Sequence, residues 1–325
     1  MLNAFGLPDD WLSYGAGPIP PCSSWVFMIS NAIVLSSSGI VALPTGEVLE
    51  DTLDHTWPPL DGYQRGDNGT VLVPGPIPYD PGYFLSLLLG GHDNHFHWLV
   101  MSLARAALLT PEDMQGLDGI LVPADLSGTQ MEALELSGLS RHAPFRFVQR
   151  GEALQVRRLL LPWNIATGAG VSPIGAAWLN ELVHDDDGDQ RVTRRIYLDR
   201  RAAPTRRLIN EEELVEVLVG QGIQPVRLED LSLAKQVLLM RQAELIVAPH
   251  GAGLANLAFA RPGTKVLELM PSAALNWCYR HLAAVCGLRY DCVLGRSQNS
   301  SVQAPWIVSP THVLSALAEI AEVSP

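Results

Sequence analysis

The sequence is short of several things, and each shortage removes a class of protein. Among its 325 residues there are four cysteines, Cys22, Cys278, Cys286 and Cys292, and no two stand in a C-x-x-C spacing. That excludes a zinc-ribbon or disulfide-framework protein and leaves buried free thiols as the expectation. Charge is scarce too: 17% of residues are charged, 22 basic against 34 acidic, for a formal net charge of −12. With no basic run or stripe, nucleic acid and anionic membranes are excluded as general partners. No stretch supplies the about 20 predominantly apolar residues that a membrane-spanning helix needs. The most apolar stretches, residues 25–43 and 84–109, are broken by Ser, Asn, His, Asp or Arg. The first residues, MLNAFGLPDDWLSYGAG, lack a basic segment followed by an apolar one, so no signal peptide and a cytoplasmic location are expected.

What is present is a globular composition, 47% hydrophobic, with length enough for two domains. The chain is organised around residues 245–270, LIVAPHGAGLANLAFARPGTKVLELM. Residues 245–248 have the length and flanks of a buried parallel strand, which Pro249 ends by removing a ladder donor. His250, Gly251, Ala252 and Gly253 form the turn, residues 254–259 are apolar at helical spacing, and residues 265–269 read as the next strand. A strand, a glycine turn and a helix start place unpaired backbone N–H groups where an anion can sit. His250 falls at the strand's carboxyl end, where open α/β sheets bind ligands.

Taken in order, residues up to about 75 predict a small β-rich segment with strands at 25–28, 32–35 and 40–43, followed by a proline-laden loop, GPIPYDPGYF. GGHDNHFHWLVMSLARAALL at 90–109 predicts a turn at Gly90–Gly91, an N-cap at Asn94, and a helix with Trp98, Leu99, Leu103 and Leu108 on its apolar face. His92, Asp93, His95 and His97 crowd its start. The three histidines do not share a helix face as metal ligands would, so a general-base role is the favoured chemistry. Strands at 120–122, 145–148 and 159–161 with a helix near 130–136 give a first βαβ-type half. After a helix at 173–182 comes VHDDDGDQRVT, whose acidic run (Asp185, Asp186, Asp187, Asp189) reads as a solvated interdomain loop.

The second half alternates regularly. Strands are predicted at 195–198, 225–228 and 288–293, and helices run from an Asn210/Glu213 capping box to Gly220, from Ser232 to Arg241, over 277–286 and over 310–321. A doubly wound parallel sheet follows. Between its first strand and helix lies DRRAAPTRRLIN, with Arg200, Arg201, Arg206 and Arg207 on the rim shared with His250. Arginine donates bidentate hydrogen bonds to phosphate, so this loop and the glycine turn are placed to grip a diphosphate together. A nicotinamide oxidoreductase is disfavoured because no G-x-G-x-x-G follows the first strand of either half.

The order IYLDR, R-x-x-x-N, VRLEDLSLAKQ, APHGAGLANLAF and VLEL over residues 195–270, with NHFHWL at 94–99, resembles glycosyltransferase family 61; the resemblance spans about residues 31–271. It implies an α/β, GT-B-like fold of two Rossmann-type domains facing across a cleft, an acceptor-side domain at 1–175 and a nucleotide-sugar-binding domain at 176–325. It also implies an inverting, metal-independent glycosyltransferase that needs no cofactor. The expected substrates are a nucleotide-sugar donor such as a UDP-sugar and a saccharide or other hydroxyl acceptor, in capsular or extracellular polysaccharide synthesis.

Carried onto this chain, Arg200, Arg206 and the backbone of Gly251 and Gly253 hold the diphosphate. His250 faces the leaving group, Glu268 is placed for the ribose hydroxyls, and Asn210, Ala252, Leu254 and Asn256 complete the donor-side set. Family members usually have an acidic residue in a pattern like H-W-L-x-D, and this chain has Met101 there. The base then passes to His97 or Asp93. A noncatalytic nucleotide-sugar-binding protein would share every donor contact and differ only in lacking a base.

Overall fold

The computed structural model describes residues 23–53, 64–65, 71–73, 75–165, 171–182 and 194–322. They fall into two compact units, which part between Ile165 and Val171. The helix predicted at 173–182 therefore belongs whole to the second unit. The acidic run 185–189 and the opening segment lie outside the described residues. No helix among the described residues is long and apolar enough to cross a membrane.

The first unit contains β1 (Ser23–Leu35), β2 (Ile40–Ala42), β3 (Gln64–Arg65), β4 (Val71–Leu72), β5 (Tyr79–Ser86), β6 (Gly119–Pro123), β7 (Phe145–Val148) and β8 (Ala153–Ile165). Its helix α1 spans Gly128–Leu136. Six strands form one mixed sheet in the order β2-β1-β8-β5-β6-β7, and β3 pairs β4 separately. The strand runs expected at 25–28 and 32–35 are one long strand, because β1 pairs with β8 along nearly its whole length. The second part of the proline-laden loop, from Tyr79 on, proves to be the start of β5. The register shift between Asp80 and Tyr83 takes up Pro81 and Gly82, so the missing proline N–H costs no ladder bond.

Helix α1 begins in a capping box, with Ser127 Oγ accepting from Gln130 N at 3.3 Å and Gln130 Oε1 accepting from Ser127 N at 2.8 Å. Residues 97–108, expected as an ordinary helix, form a π-helical stretch (His97–Ser102) followed by a 3-10 stretch (Leu103–Leu108). Arg105 pins this segment to the sheet. Fully buried, it donates to the carbonyls of Leu88 (2.8 Å), Pro162 (3.3 Å) and Ser102 (3.3 Å) and lies 5.0 Å from the Trp163 ring centroid. Burial pushes its guanidinium down to about 9.

The second unit contains α2 (Pro173–Glu181), β9 (Arg194–Leu198), α3 (Glu211–Gly220), β10 (Gln224–Val226), α4 (Leu233–Gln242), β11 (Ala243–Pro249), β12 (Lys265–Pro271), α5 (Cys278–Val285), β13 (Arg289–Ser297), β14 (Trp306–Ile307) and α6 (Pro310–Glu322). The sheet order is β10-β9-β11-β12-β13-β14. Every neighbouring pair is parallel except the last, an antiparallel edge strand that the sequence did not announce. One sheet face packs on α3 and α6 through Tyr197, Leu214, Val247, Leu267, Leu269, Val313 and Leu317. Since side chains alternate along a strand, Ile246, Ala248, Val266, Glu268 and Met270 belong to the opposite face.

The hidden strand β14 depends on Gly295. Trp306 is fully buried, and a Cβ at Gly295 would overlap its indole ring and stand 2.5 Å from Ile307 O. Gly295→Ala is therefore expected to lower stability by about 1–3 kcal/mol through overpacking. The measurement is urea unfolding, in which the midpoint should fall while the slope stays constant.

Candidate active site

In the second unit the strand order reverses at β9: the chain moves to β10 on one side, then to β11 on the other. The carboxyl ends of β9 and β11 flank this switch point, where open α/β sheets bind ligands. Arg200 follows β9 and His250 follows β11. Arg200 Nη1 donates to the carbonyl of His250, so the two loops meet.

Gly251 lets them meet. Its φ of 171° is ordinary extended backbone, so conformational freedom is not the reason for glycine here. A Cβ would lie 2.5 Å from Arg200 Cζ, so it is the guanidinium that needs the space. Arg206 is the second cation. It has φ of 51°, a left-handed conformation rare for a residue with a side chain. Its backbone is held there because Arg206 N donates to Gln303 O at 3.3 Å and Trp306 Nε1 donates to Arg206 O at 2.8 Å. Its Nε is buried with no acceptor among the described residues.

Burial and the nearby charge of Arg206 push Arg200 below its usual value. Neither arginine has a carboxylate ion-pair partner among the described residues, whereas Arg201 is paired with Asp199 at 2.6 Å. Glu211, which the sequence reading missed, instead fixes the Arg200 backbone. Its Oε1 accepts from Arg200 N at 2.7 Å and from Tyr197 OH at 2.9 Å. Both guanidiniums thus stand at the switch point close enough for the charge of Arg206 to act on Arg200, and neither has a carboxylate ion pair among the described residues.

His250 is 5% exposed, and its Nδ1 lies 2.5 Å from Glu268 Oε1. Glu268 is fully buried, and its other oxygen accepts from Tyr290 OH at 2.6 Å. The ribose contact expected of Glu268 is thereby corrected: a carboxylate with no exposure and both oxygens engaged by protein cannot meet a sugar. The α5 ring of Tyr279 lies 5.1 Å from His250.

Other members of the expected donor set are scaffold. Asn210 makes no capping bond; its side chain bridges to Val308, Nδ2 donating to the carbonyl at 2.7 Å and Oδ1 accepting from N at 3.2 Å. Ser232 likewise makes no side-chain cap on α4. Asn256 is buried and donates to Gln236 Oε1 at 2.6 Å, and Leu254 is a core side chain. The helix after the turn is a 3-10 helix, Ala252–Phe259, so Ala252 and Gly253 begin a tighter spiral than expected.

In the first unit the segment between β5 and β6 carries the histidines, and the loop after β6 carries Asp125. His92 is buried, with Nδ1 3.1 Å from Leu89 O and Nε2 2.6 Å from Asp125 Oδ1, so both ring nitrogens are occupied. Gln130 Nε2 also donates to His92 O at 2.6 Å. His92 is thus a brace. His97 is half-buried and free for chemistry at one nitrogen: Nδ1 lies 3.1 Å from Met101 Sδ. Burial pushes its imidazole down, partly opposed by the charge of Asp93. The structure brings His97, Asp93 and Met101 together in this unit, and Arg200, Arg206, His250 and Gly251 together in the other. Among the described residues no group of three His, Cys, Asp or Glu side chains is placed to hold a metal ion. Cys278 is a buried free thiol, and Cys286 and Cys292 are half-buried ones.

Comparison with known proteins places the chain among glycosyltransferases. A family model described as Glycosyltransferase 61 matches residues 95–267, which take in His97, Arg200, Arg206 and His250. The chain is 34% identical over 104 residues to the EGF domain-specific O-linked N-acetylglucosamine transferase of Drosophila melanogaster, covering 31% of this chain and 20% of that protein. It is 37% identical over 90 residues to Protein O-linked-mannose beta-1,4-N-acetylglucosaminyltransferase 2 of Tetraodon nigroviridis, covering 26% of this chain and 16% of that one. The matches therefore span a fifth or less of these curated relatives.

The anion site makes its own prediction. Gly251→Ala should displace the Arg200 guanidinium and weaken pyrophosphate binding by about 1.5–3 kcal/mol, the worth of a hydrogen bond to a charged group. Calorimetric titration measures the loss, and an unfolding midpoint close to the wild type's is expected beside it.

Proposed function

Because the chain belongs to glycosyltransferase family 61, we propose that it transfers a sugar from a nucleoside-diphosphate donor to a hydroxyl acceptor, with inversion and without a metal ion. The observation that carries this reading is that Arg200 and Arg206 both stand at the switch point with no carboxylate ion pair to either among the described residues, the Arg206 Nε being buried with no acceptor. A diphosphate supplies the missing negative charge. In the reaction the acceptor oxygen forms a bond to the anomeric carbon as the bond from that carbon to the diphosphate oxygen breaks. The electron pair leaves on the nucleoside diphosphate, and the acceptor's proton passes to a base. Fixed donors at the departing phosphate lower this barrier most, because that is where charge develops.

Both relatives are named for N-acetylglucosamine transfer, so UDP-N-acetylglucosamine is the first donor to test. The acceptor class is a saccharide or another hydroxyl compound. A second reading, a noncatalytic nucleotide-sugar-binding protein, has one observation on its side: His97 Nδ1 faces the Met101 thioether and not a carboxylate.

The deciding experiment incubates the protein with a panel of nucleotide sugars in EDTA and follows nucleoside diphosphate release. Turnover in EDTA is expected, with a loss in Arg206→Ala worth about 1.5–3 kcal/mol of transition-state stabilisation. Binding without turnover would favour the second reading. Turnover abolished by EDTA and restored by manganese or magnesium would contradict metal independence.

His97 is the proposed base. Its lowered pKa keeps the ring neutral to lower pH than free imidazole, so the acid limb of kcat should have its midpoint below the usual 6.5. His97→Ala should remove that limb and cut turnover by about 10²–10⁴-fold while donor affinity holds. Near-full turnover in the variant would pass the role to Asp93.

A further inference from the structure

Between β12, β13 and α5 the second unit buries a run of polar groups for which anion binding alone has no use. Glu268 has 0% exposure, yet it sits in the middle of a parallel sheet, paired with Ala248 on one side and Cys292 on the other. A carboxylate there is costly unless its oxygens are satisfied and its charge answered. Both oxygens are: Tyr290 OH donates to Oε2 at 2.6 Å and His250 Nδ1 meets Oε1 at 2.5 Å. Strand alternation explains the meeting, since Ala248 and His250 point to the same face as Glu268. His250 Nε2 has no protein partner among the described residues.

The other titratable groups around the carboxylate are kept neutral. Burial first, and the Glu268 charge after it, pushes Tyr290 well above its usual value and raises Cys292 to about 12. Burial likewise drives Cys278 and Tyr279 well above theirs, with Glu268 contributing to both. Tyr290 therefore stays a hydroxyl donor.

We propose that Glu268 and Tyr290 are a positioning pair for the donor site, holding His250 with Nδ1–H on the Glu268 carboxylate so that Nε2 is the nitrogen presented to the departing diphosphate. This rests on the reading that the diphosphate binds at Arg200 and Arg206. The carboxylate fixes the ring's tautomer and orientation, so that an Nε2–H, when the ring carries both hydrogens, is aimed at a phosphate oxygen. Neither residue touches the substrate. The family pattern around VLEL thus serves the histidine, eighteen residues earlier in the chain.

The test uses the full chain labelled with ¹⁵N at histidine, the His250 ring signals being assigned by their loss in His250→Gln. A protonated Nδ1 is expected in the wild type, and a mixture of ring tautomers in Glu268→Gln. In calorimetry with UDP and with uridine, Glu268→Gln should bind UDP about 10-fold more weakly with uridine affinity unchanged. Tyr290→Phe, which removes one hydroxyl and no charge, should lose about 3-fold by the same comparison. An unprotonated Nδ1 in the wild type, unchanged UDP affinity in both variants, or an equal loss for UDP and uridine overturns the positioning pair. Failure of the wild type to bind UDP, GDP, ADP or CDP overturns the donor-site reading instead, and the ring-nitrogen signals then decide the positioning pair by themselves.

Discussion

Two arginines at one switch point, neither with a carboxylate ion pair among the described residues, are the constraint around which the second unit is arranged. Burial and the nearby charge of Arg206 disfavour the Arg200 cation, and the charge of Glu211 with the surrounding backbone holds it in place. Arg200 is fixed from below by Glu211 and from the side by the His250 carbonyl. Arg206 is held in a left-handed conformation by Gln303 and by the indole of Trp306. Strain of this kind, of order 1–3 kcal/mol per residue, persists where the fold over-determines it, and it is commonly found at ligand sites. A bound diphosphate would turn the repulsion into attraction, with no rearrangement needed at the moment of reaction.

The first unit solves a different problem, keeping one histidine neutral and mobile in charge while its neighbours are locked. His92 is bound at both nitrogens and Arg105 ties the following helix to three backbone carbonyls. These contacts rigidify the segment that carries His97, whose remaining freedom is protonation. Met101 is a weak acceptor beside it, so the ring's charge is set mainly by burial and by Asp93. Burial keeps the His97 ring neutral to lower pH than free imidazole.

Much of this was legible because periodicity and turn chemistry are local. Strand β11, the glycine turn and β12 stand where the apolar runs and Pro249 put them, and the arginine loop lies on the same rim. Side-chain partners were not legible, since they depend on which strands become neighbours. Glu268 reads as a residue at the end of a strand, and only the β11–β12 register shows that it lies beneath His250. Asn210 and Asn256 have the polarity of ligand contacts, but each is spent on a backbone or side chain brought close by tertiary packing. Gly251 was marked as a place where a ligand approaches, and the close approach is made by Arg200. Strand β14 is two residues long, too short for any pattern to announce, yet its Trp306 supports Arg206.

The most direct test of the central claim is a crystal structure of the protein with UDP bound. The account predicts phosphate oxygens within hydrogen-bonding distance of the guanidiniums of both Arg200 and Arg206, with His250 Nε2 on the terminal phosphate. A diphosphate bound elsewhere, with Arg200 and Arg206 making no contact to it, would contradict the claim.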